Sequence, residues 1–348
     1  MKSSVARARW LRWAPAFAVL ALIAVLPAEA DAPRAFEPPR KLDITARPIA
    51  SFDARDSTRV VFGKLEFVGG LELTSTDKAF GELSALRISP DGERFLLVSD
   101  KGRWFRGRIV YRDGKPVGIA DAETAPILGA DGRPLAERGW FDTESLAEDG
   151  DTLYVGIERV NQIVKFDFGK DGLLARGEPI ETPPGVKTLP FNQGLETLLF
   201  VPRDGKSPLA GTLVAISERG LDAAKNIVGF LVGGATPGQF TIRRTEDFDI
   251  TDAALLPNGD LAILERFFTP IRGVAMRMRR IPQEVIKPGA LIDGPVLLEA
   301  DMGYQIDNME GIAVHRSPQG DTILTLVSDD NFNALQRNLL LQFKLARP

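Results

Sequence analysis

Residues 80–102 read FGELSALRISPDGERFLLVSDKG. Two short apolar runs, residues 83–88 and 95–98, flank Pro90-Asp91-Gly92. Two strand-like runs joined by Pro, Asp and Gly spell a β-hairpin. Glu82 stands just before the first run and Asp100 just after the second. The open ends of an antiparallel pair lie side by side, so the hairpin presents both carboxylates at one edge.

The same unit recurs four times. Glu144 opens ESLAEDGDTLYVGIER, which closes on Glu158-Arg159. Glu196 opens ETLLFVPRDG, and GTLVAISER closes on Glu218-Arg219. Asp252 opens DAALLPNGDLAILER, closing on Glu265-Arg266, and Glu310 opens EGIAVHRSPQGDTILTLVSDD, closing on Asp329-Asp330. A repeat of roughly fifty to sixty residues with several strands each is the signature of a β-propeller. The expectation is an all-β fold with five signature-bearing blades; a sixth, irregular blade from residues 41–79 stays open. The fifth unit has only one strand, residues 339–345, after its hairpin. Residues 59–74 (RVVFGKLEFVGGLELT) are expected to supply its outer strand and tie the ring shut, because open ends would leave unpaired edges.

Composition agrees with one globular domain: 348 residues, 44% hydrophobic and 26% charged, with 33 Gly and 24 Pro for turns. No cysteine is present, which excludes disulfides and thiolate metal sites. Lys2, Arg7, Arg9 and Arg12, the apolar run 14–26 and Ala28-Glu29-Ala30 read as a secretory signal cleaved after Ala30. An uncleaved anchor is the alternative; after cleavage no stable membrane span is expected. Residues 31–58 read as an extended N-terminal arm with little structure of its own, and 59–348 as a single propeller domain. The formal charge is −4, and losing the basic leader makes the remainder more acidic. Such a chain is a poor partner for nucleic acid or anionic membrane and a better one for cations.

In a propeller the first strand of each blade lines the central channel. Glu82, Glu144, Glu196, Asp252 and Glu310 are therefore expected as one ring at the channel mouth. Asp100, Glu158, Glu218, Glu265 and Asp329 are expected as a second. Like charges at such density must be neutralised. Arg103, Arg159, Arg219 and Arg266 stand at or near the closing acids. A hard cation such as calcium, taking six to eight oxygens, is the other remedy, with Asn192, Asn226, Asn308 and Asn331 as further oxygen donors. The two readings differ: carboxylates that hold a metal, or carboxylates that pair with arginine and only hold blades together. The single histidine, His315, lies at a strand end beside Arg316 and is expected as a solvated turn residue. No HExxH, P-loop or GxGxxG motif occurs. Ser84, Ser99, Ser145 and Ser217 have no base at hand and are expected to bond turn backbone.

The run FVGGLELTSTDKAFGELSALRISPDGERFLLVSDKG, with FDTESLA, NQGLETL and NMEGIAV, resembles the phytase-like domain family, also described by its esterase-like activity of phytase. The resemblance covers about residues 60–345. It implies a secreted bacterial propeller that hydrolyses phosphate or carboxylic esters, with calcium at the channel mouth bridging substrate oxygens. The family's motif positions fall on Glu82, Asp100, Glu144, Glu158, Glu196, Glu218 and Glu310. The fourth unit departs from the pattern, with Asp252 in place of Glu, and no lysine-rich cradle is evident. The implied metal ligands are Glu82, Glu144, Glu196, Asp252 and Glu310. Candidates for catalysis are Glu144, Glu196, Arg159, Arg219 and Arg266, and those for substrate binding are Arg103, Arg159, Arg219 and Arg266. The expected setting is a monomer, periplasmic or secreted, acting on a small ester or phosphoester. The competing expectation is a periplasmic ligand-binding or scaffold propeller that does no chemistry.

Overall fold

The computed structural model describes residues 37–203 and 207–346; the expected signal, residues 1–30, lies outside the described residues. Five sheets follow one another along the chain. Blade one runs outward through Leu83–Ile88, Arg94–Ser99, Arg103–Arg112 and Lys115–Pro126. Blade two uses Thr143–Asp149, Thr152–Ile157, Gln162–Asp167 and Arg176–Pro179, and blade three Leu195–Phe200, Thr212–Leu221, Ile227–Gly233 and Gly238–Ile242. Blade four uses Asp249–Leu255, Leu261–Thr269, Gly273–Ile281 and Val296–Asp301. Blade five starts with Asn308–Arg316, Thr322–Asp329 and Asn338–Leu345 and is completed by Leu65–Thr74 and Thr45–Ile49. The ring therefore has five blades, and residues 41–79 form no sixth.

The burial of each strand follows its place in the sheet. The inner strand of blade three, Leu195–Phe200, is buried at every residue, because blades pack on both its faces. Outer strands such as Arg103–Arg112 alternate buried and exposed residues over much of their length. The core is divided accordingly into five large apolar clusters, one between each pair of neighbouring blades. Trp104 and Phe166, packed edge to face at 5.4 Å, join blades one and two. Phe52, Phe62, Phe67 and Phe343 gather on the seam between blades four and five.

Closure follows the expected strand. Leu65–Thr74 pairs antiparallel with Asn338–Leu345 from Leu65 to Leu73, with one bulge at Val68. The segment expected as an arm with little structure of its own does more than trail. Thr45–Ile49 adds a further strand to Leu65–Thr74, and Arg40–Lys41 adds to the edge of blade one. Arg40 also bonds Asp77. One segment thus covers the outer edges of two neighbouring blades, which removes two pairing templates. Among the described residues no helix is long and apolar enough to cross a membrane.

Candidate active site at the channel mouth

Each inner strand carries a β-bulge near its start, and the bulges set the register of the site. The unpaired residue is Ser84 in blade one, Glu144 in blade two, Glu196 in blade three, Thr251 in blade four and Glu310 in blade five. A bulge re-aims one side chain out of the alternation. Two residues earlier stand Glu82, Asp142, Gly194, Asp249 and Asn308. Facing these on the neighbouring strand are Asp100, Glu158, Glu218, Arg266 and Asp329. The mouth is thus three tiers of five positions, and not two.

This register corrects two members of the expected first ring and one of the second. Glu82 belongs with Asp142, both at positive φ, and not with Glu144. Asp252 stands one residue past its bulge. It is fully buried, accepts the backbone N–H of Ile312 at 3.0 Å and pairs with Arg87 at 3.5 Å, so it is withdrawn from the mouth. Glu265 also turns away. It is locked between Arg277 and Arg279, at 2.8 Å and 2.9 Å, and Arg266 takes the tier position instead.

The tiers interlock neighbouring blades. The backbone N–H of Asp142 donates to the Asp100 carbonyl at 2.7 Å, and that of Gly194 to Glu158 Oε1 at 2.7 Å. Gly194 has to be glycine: a Cβ there would meet Asn161 Oδ1 at 2.0 Å. Thr251 Oγ1 donates to the Met309 carbonyl at 3.1 Å, and Asp330 accepts the backbone N–H of Glu82 at 3.0 Å.

Cations cover only part of the acid. Lys101 pairs with Glu82 at 3.0 Å, Arg159 with Asp142 at 3.7 Å, and Arg219 and Arg244 with Asp249. Arg266 bridges Glu218, at 2.9 Å, and Glu310, and also donates to Asn308. Among the described residues Glu158 and Asp329 have only amide donors, and Ser84 is the one side chain that bonds Asp100. The carboxylates of Glu144 and Glu196 make no hydrogen bond or ion pair among the described residues.

Burial, reinforced by the neighbouring carboxylates, holds Asp100, Glu144, Glu158, Glu196, Glu310 and Asp329 above the ordinary range. Glu144 and Glu196 are pushed well up. Burial raises Asp100 to about 6 against the Ser84 hydrogen bond, and Glu158 to about 7 against the Gly194 N–H. Asp329 and Glu310 rise to about 8, burial outweighing Arg266 in the second case. One carboxylate oxygen each from Glu158, Glu196 and Glu218 lies within 4.8 Å of the others.

The remaining expected residues scatter. Arg159 reaches the mouth with its guanidinium 4.6 Å from each of the Phe141 and Phe191 rings. Arg103 is spent on Glu37, at 2.6 Å, and Thr124, on the third strand of its blade. Asn226 bonds Asp222 in a hairpin loop. His315 is buried, not solvated, against Gly92 of blade one. Burial drops its pKa to about 4. It lies near the end of Asn308–Arg316 opposite the tiers, which removes it from any triad with these acids.

Arg87 had no sequence signal beyond being a charge in an apolar run. Its guanidinium, on the inner strand of blade one, donates to the carbonyls of Leu198 in blade three, at 2.7 Å, and Ile312 in blade five, at 3.4 Å. With Asp252 of blade four it crosses the channel and stoppers it below the tiers.

A five-bladed propeller with a stoppered, carboxylate-lined channel is the class these features define. The family profile described as "Phytase-like: Esterase-like activity of phytase" matches residues 78–332. The chain belongs to that family. A search of curated proteins found no match. Among solved structures, a glutaminyl cyclase from Myxococcus xanthus is similar at 14% identity and TM-score 0.41, over 77% of this chain and 92% of that one. The PQQ-bound aldose sugar dehydrogenase of Streptomyces coelicolor is similar at 13% and 0.40, over 87% and 98%. The WD40 repeats of RRP9 are similar at 9% and 0.38, over 86% and 100%.

Proposed function

We propose that the protein hydrolyses phosphate or carboxylic esters with a calcium ion held among the mouth carboxylates. The observation that carries this reading is the pair Glu144 and Glu196, acids without a hydrogen-bond or ion-pair partner among the described residues, in a cluster that already exceeds its cations. The donor set is all oxygen, which suits a hard cation and not zinc or copper. One oxygen each from Glu158, Glu196 and Glu218 lies within 4.8 Å of the others, close enough to share one ion, since two ligands of one calcium can stand up to about twice the ~2.4 Å calcium–oxygen distance apart. Those three residues would hold the ion, and Glu144 and Asp100 flank them.

When bound, calcium supplies a Lewis acid that polarises an ester oxygen. The protein's own groups divide the rest. Glu144 is the carboxylate we assign to take the proton of the attacking water, since it makes no hydrogen bond or ion pair among the described residues. Arg159, braced by Phe141 and Phe191, is placed at the rim to stabilise the negative charge that develops on the substrate's oxygen as water attacks. Arg266 fixes Glu218 and Glu310, and is a positioning residue.

We further read the chain as exported, periplasmic or secreted, and monomeric, with a small molecule as its partner and no nucleic acid. The test is elemental analysis of the purified protein, a calcium titration of its Tm, and an ester and phosphoester panel with and without chelator. Native-state binding at a hundredfold excess over Kd should stabilise by about 2.7 kcal/mol. Glu144→Gln and Glu196→Gln should blunt that response while keeping the fold. A flat titration would overturn the calcium site. Calcium binding without turnover on any ester would leave a ligand-binding propeller.

A further inference from the structure

Beyond Arg266 the mouth opens into a groove of about 990 Å³ between blades four and five, within the size range of small-molecule sites. Arg266 is the common wall. It bonds Glu218 and Glu310 on the tier side and lines the groove on the other. A molecule lying in the groove therefore has one end at the carboxylates.

The groove's charges cancel. Arg219, Arg244 and Arg266 are matched by Asp247, Asp249 and Asp307, and every one of the arginines is already paired with a carboxylate. No surplus positive charge is left for a phosphate-rich ligand, and the tiers beside it carry excess acid. Large apolar side chains also line the groove. Phe268 ends a strand of blade four, Met302 lies on the connection to blade five, and Leu335 lies in the loop before Asn338–Leu345. They are 63%, 58% and 90% exposed, so folding does not explain them. Large apolar side chains from three separate segments meeting in one cleft mark a binding surface.

We propose that this groove is the subsite for the apolar part of the substrate, and that the substrate is an uncharged carboxylic ester with a medium-length acyl chain. The proposal rests on the hydrolase reading and chooses between its two ester classes. In the reaction the water oxygen bonds the acyl carbon, and the acyl C–O bond to the alcohol breaks. The alcohol leaves with a proton, and the fatty acid is released.

The experiment compares p-nitrophenyl acetate, p-nitrophenyl octanoate and p-nitrophenyl phosphate on the wild type and on Phe268→Ser and Leu335→Ser, with thermal melts to confirm folding. The octanoate-to-acetate ratio of kcat/KM should be about tenfold or more in the wild type. It should fall at least fivefold in each of the two variants, with phosphate the poorest substrate. A ratio indifferent to these variants, or preference for the phosphate, overturns the subsite while the hydrolase reading stands. If no ester is cleaved, calorimetry with 2-decanone, an uncharged and uncleavable mimic, decides the matter. Binding that both variants weaken upholds the groove and leaves the hydrolase reading to fail alone. No binding sinks the groove.

Discussion

Replacing Arg87 by methionine should cost little in acid and much in alkali. Arg87 donates to the carbonyls of Leu198 and Ile312 and faces Asp252, whose carboxyl burial has pushed up to about 7 despite that guanidinium. At pH 5 Asp252 therefore holds a proton in both proteins. The variant then loses only hydrogen bonds to backbone carbonyls, about 1–2 kcal/mol in all. Above pH 7 the native Asp252 ionises beside its arginine, whereas in Arg87→Met it cannot ionise without leaving a bare buried charge. Each pH unit above 7 then adds about 1.4 kcal/mol to the difference. At pH 9 the cost reaches about 4 kcal/mol, within the usual range for orphaning one partner of a buried pair. The acids of the tiers titrate in both proteins and cancel in the comparison. Urea unfolding at pH 5, 7 and 9 measures it. Arg87→Met/Asp252→Asn should bring the cost at pH 9 back to about 1–2 kcal/mol. A loss that does not change with pH in Arg87→Met would refute the assignment of Asp252 to the stopper.

Stability of the calcium-free protein should fall as pH rises from about 4 to 8. Glu158, Asp329 and Glu310 bind protons more tightly folded than unfolded, so the folded state holds the extra protons across that window. Calcium should flatten the slope, and a Tm in chelator that climbs over the same range contradicts it. Glu265→Gln should cost about 3–5 kcal/mol, because Arg277 and Arg279 lose their shared buried partner, yet leave the calcium response of Tm intact; a lost response would put Glu265 back among the ligands. Deleting residues 37–50 should bare the edge of Leu65–Thr74 and drive self-association in size-exclusion chromatography. A monomer with unchanged Tm would show that the strap protects nothing.

The hairpin repeat carried the blade number and the closure because apolar runs and turn residues survive in every unit. Tier register was not legible in the same way. A bulge inserts one residue into the alternation, so matching units by their acids shifts some of them by a residue or two. Blade four shows the consequence. Its Glu265-Arg266 looks like Glu158-Arg159 and Glu218-Arg219, yet Glu265 aligns with Ile157 and Ser217. Counting back from the apolar run would have exposed the shift, since Ser99, Ile157, Ser217 and Ser328 are all uncharged at that position. Arg87 was invisible for another reason. Its partners are mostly backbone carbonyls, two of them in other blades, and those carry no sequence signature. The short strands Arg40–Lys41 and Thr45–Ile49 were masked by Pro and charge, which outermost strands tolerate because one side of the ladder is open.

The clasp that closes the ring also sets the order of assembly. Leu65 finds its partner at Leu345, so the fifth blade joins the two ends of the described chain. Blades one to four are each built mainly from contiguous sequence and can form as the chain is synthesised. The fifth waits for the last strand, and ring closure is then a slow, high-contact-order step. Until that moment Leu65–Thr74 and the strap beyond it have nothing to join, and the acid tiers of blades one and five have no neighbour across the gap. A chain cut after residue 318 would lack Thr322–Asp329 and Asn338–Leu345, leaving four blades in an open horseshoe, competent to aggregate and unable to assemble the mouth.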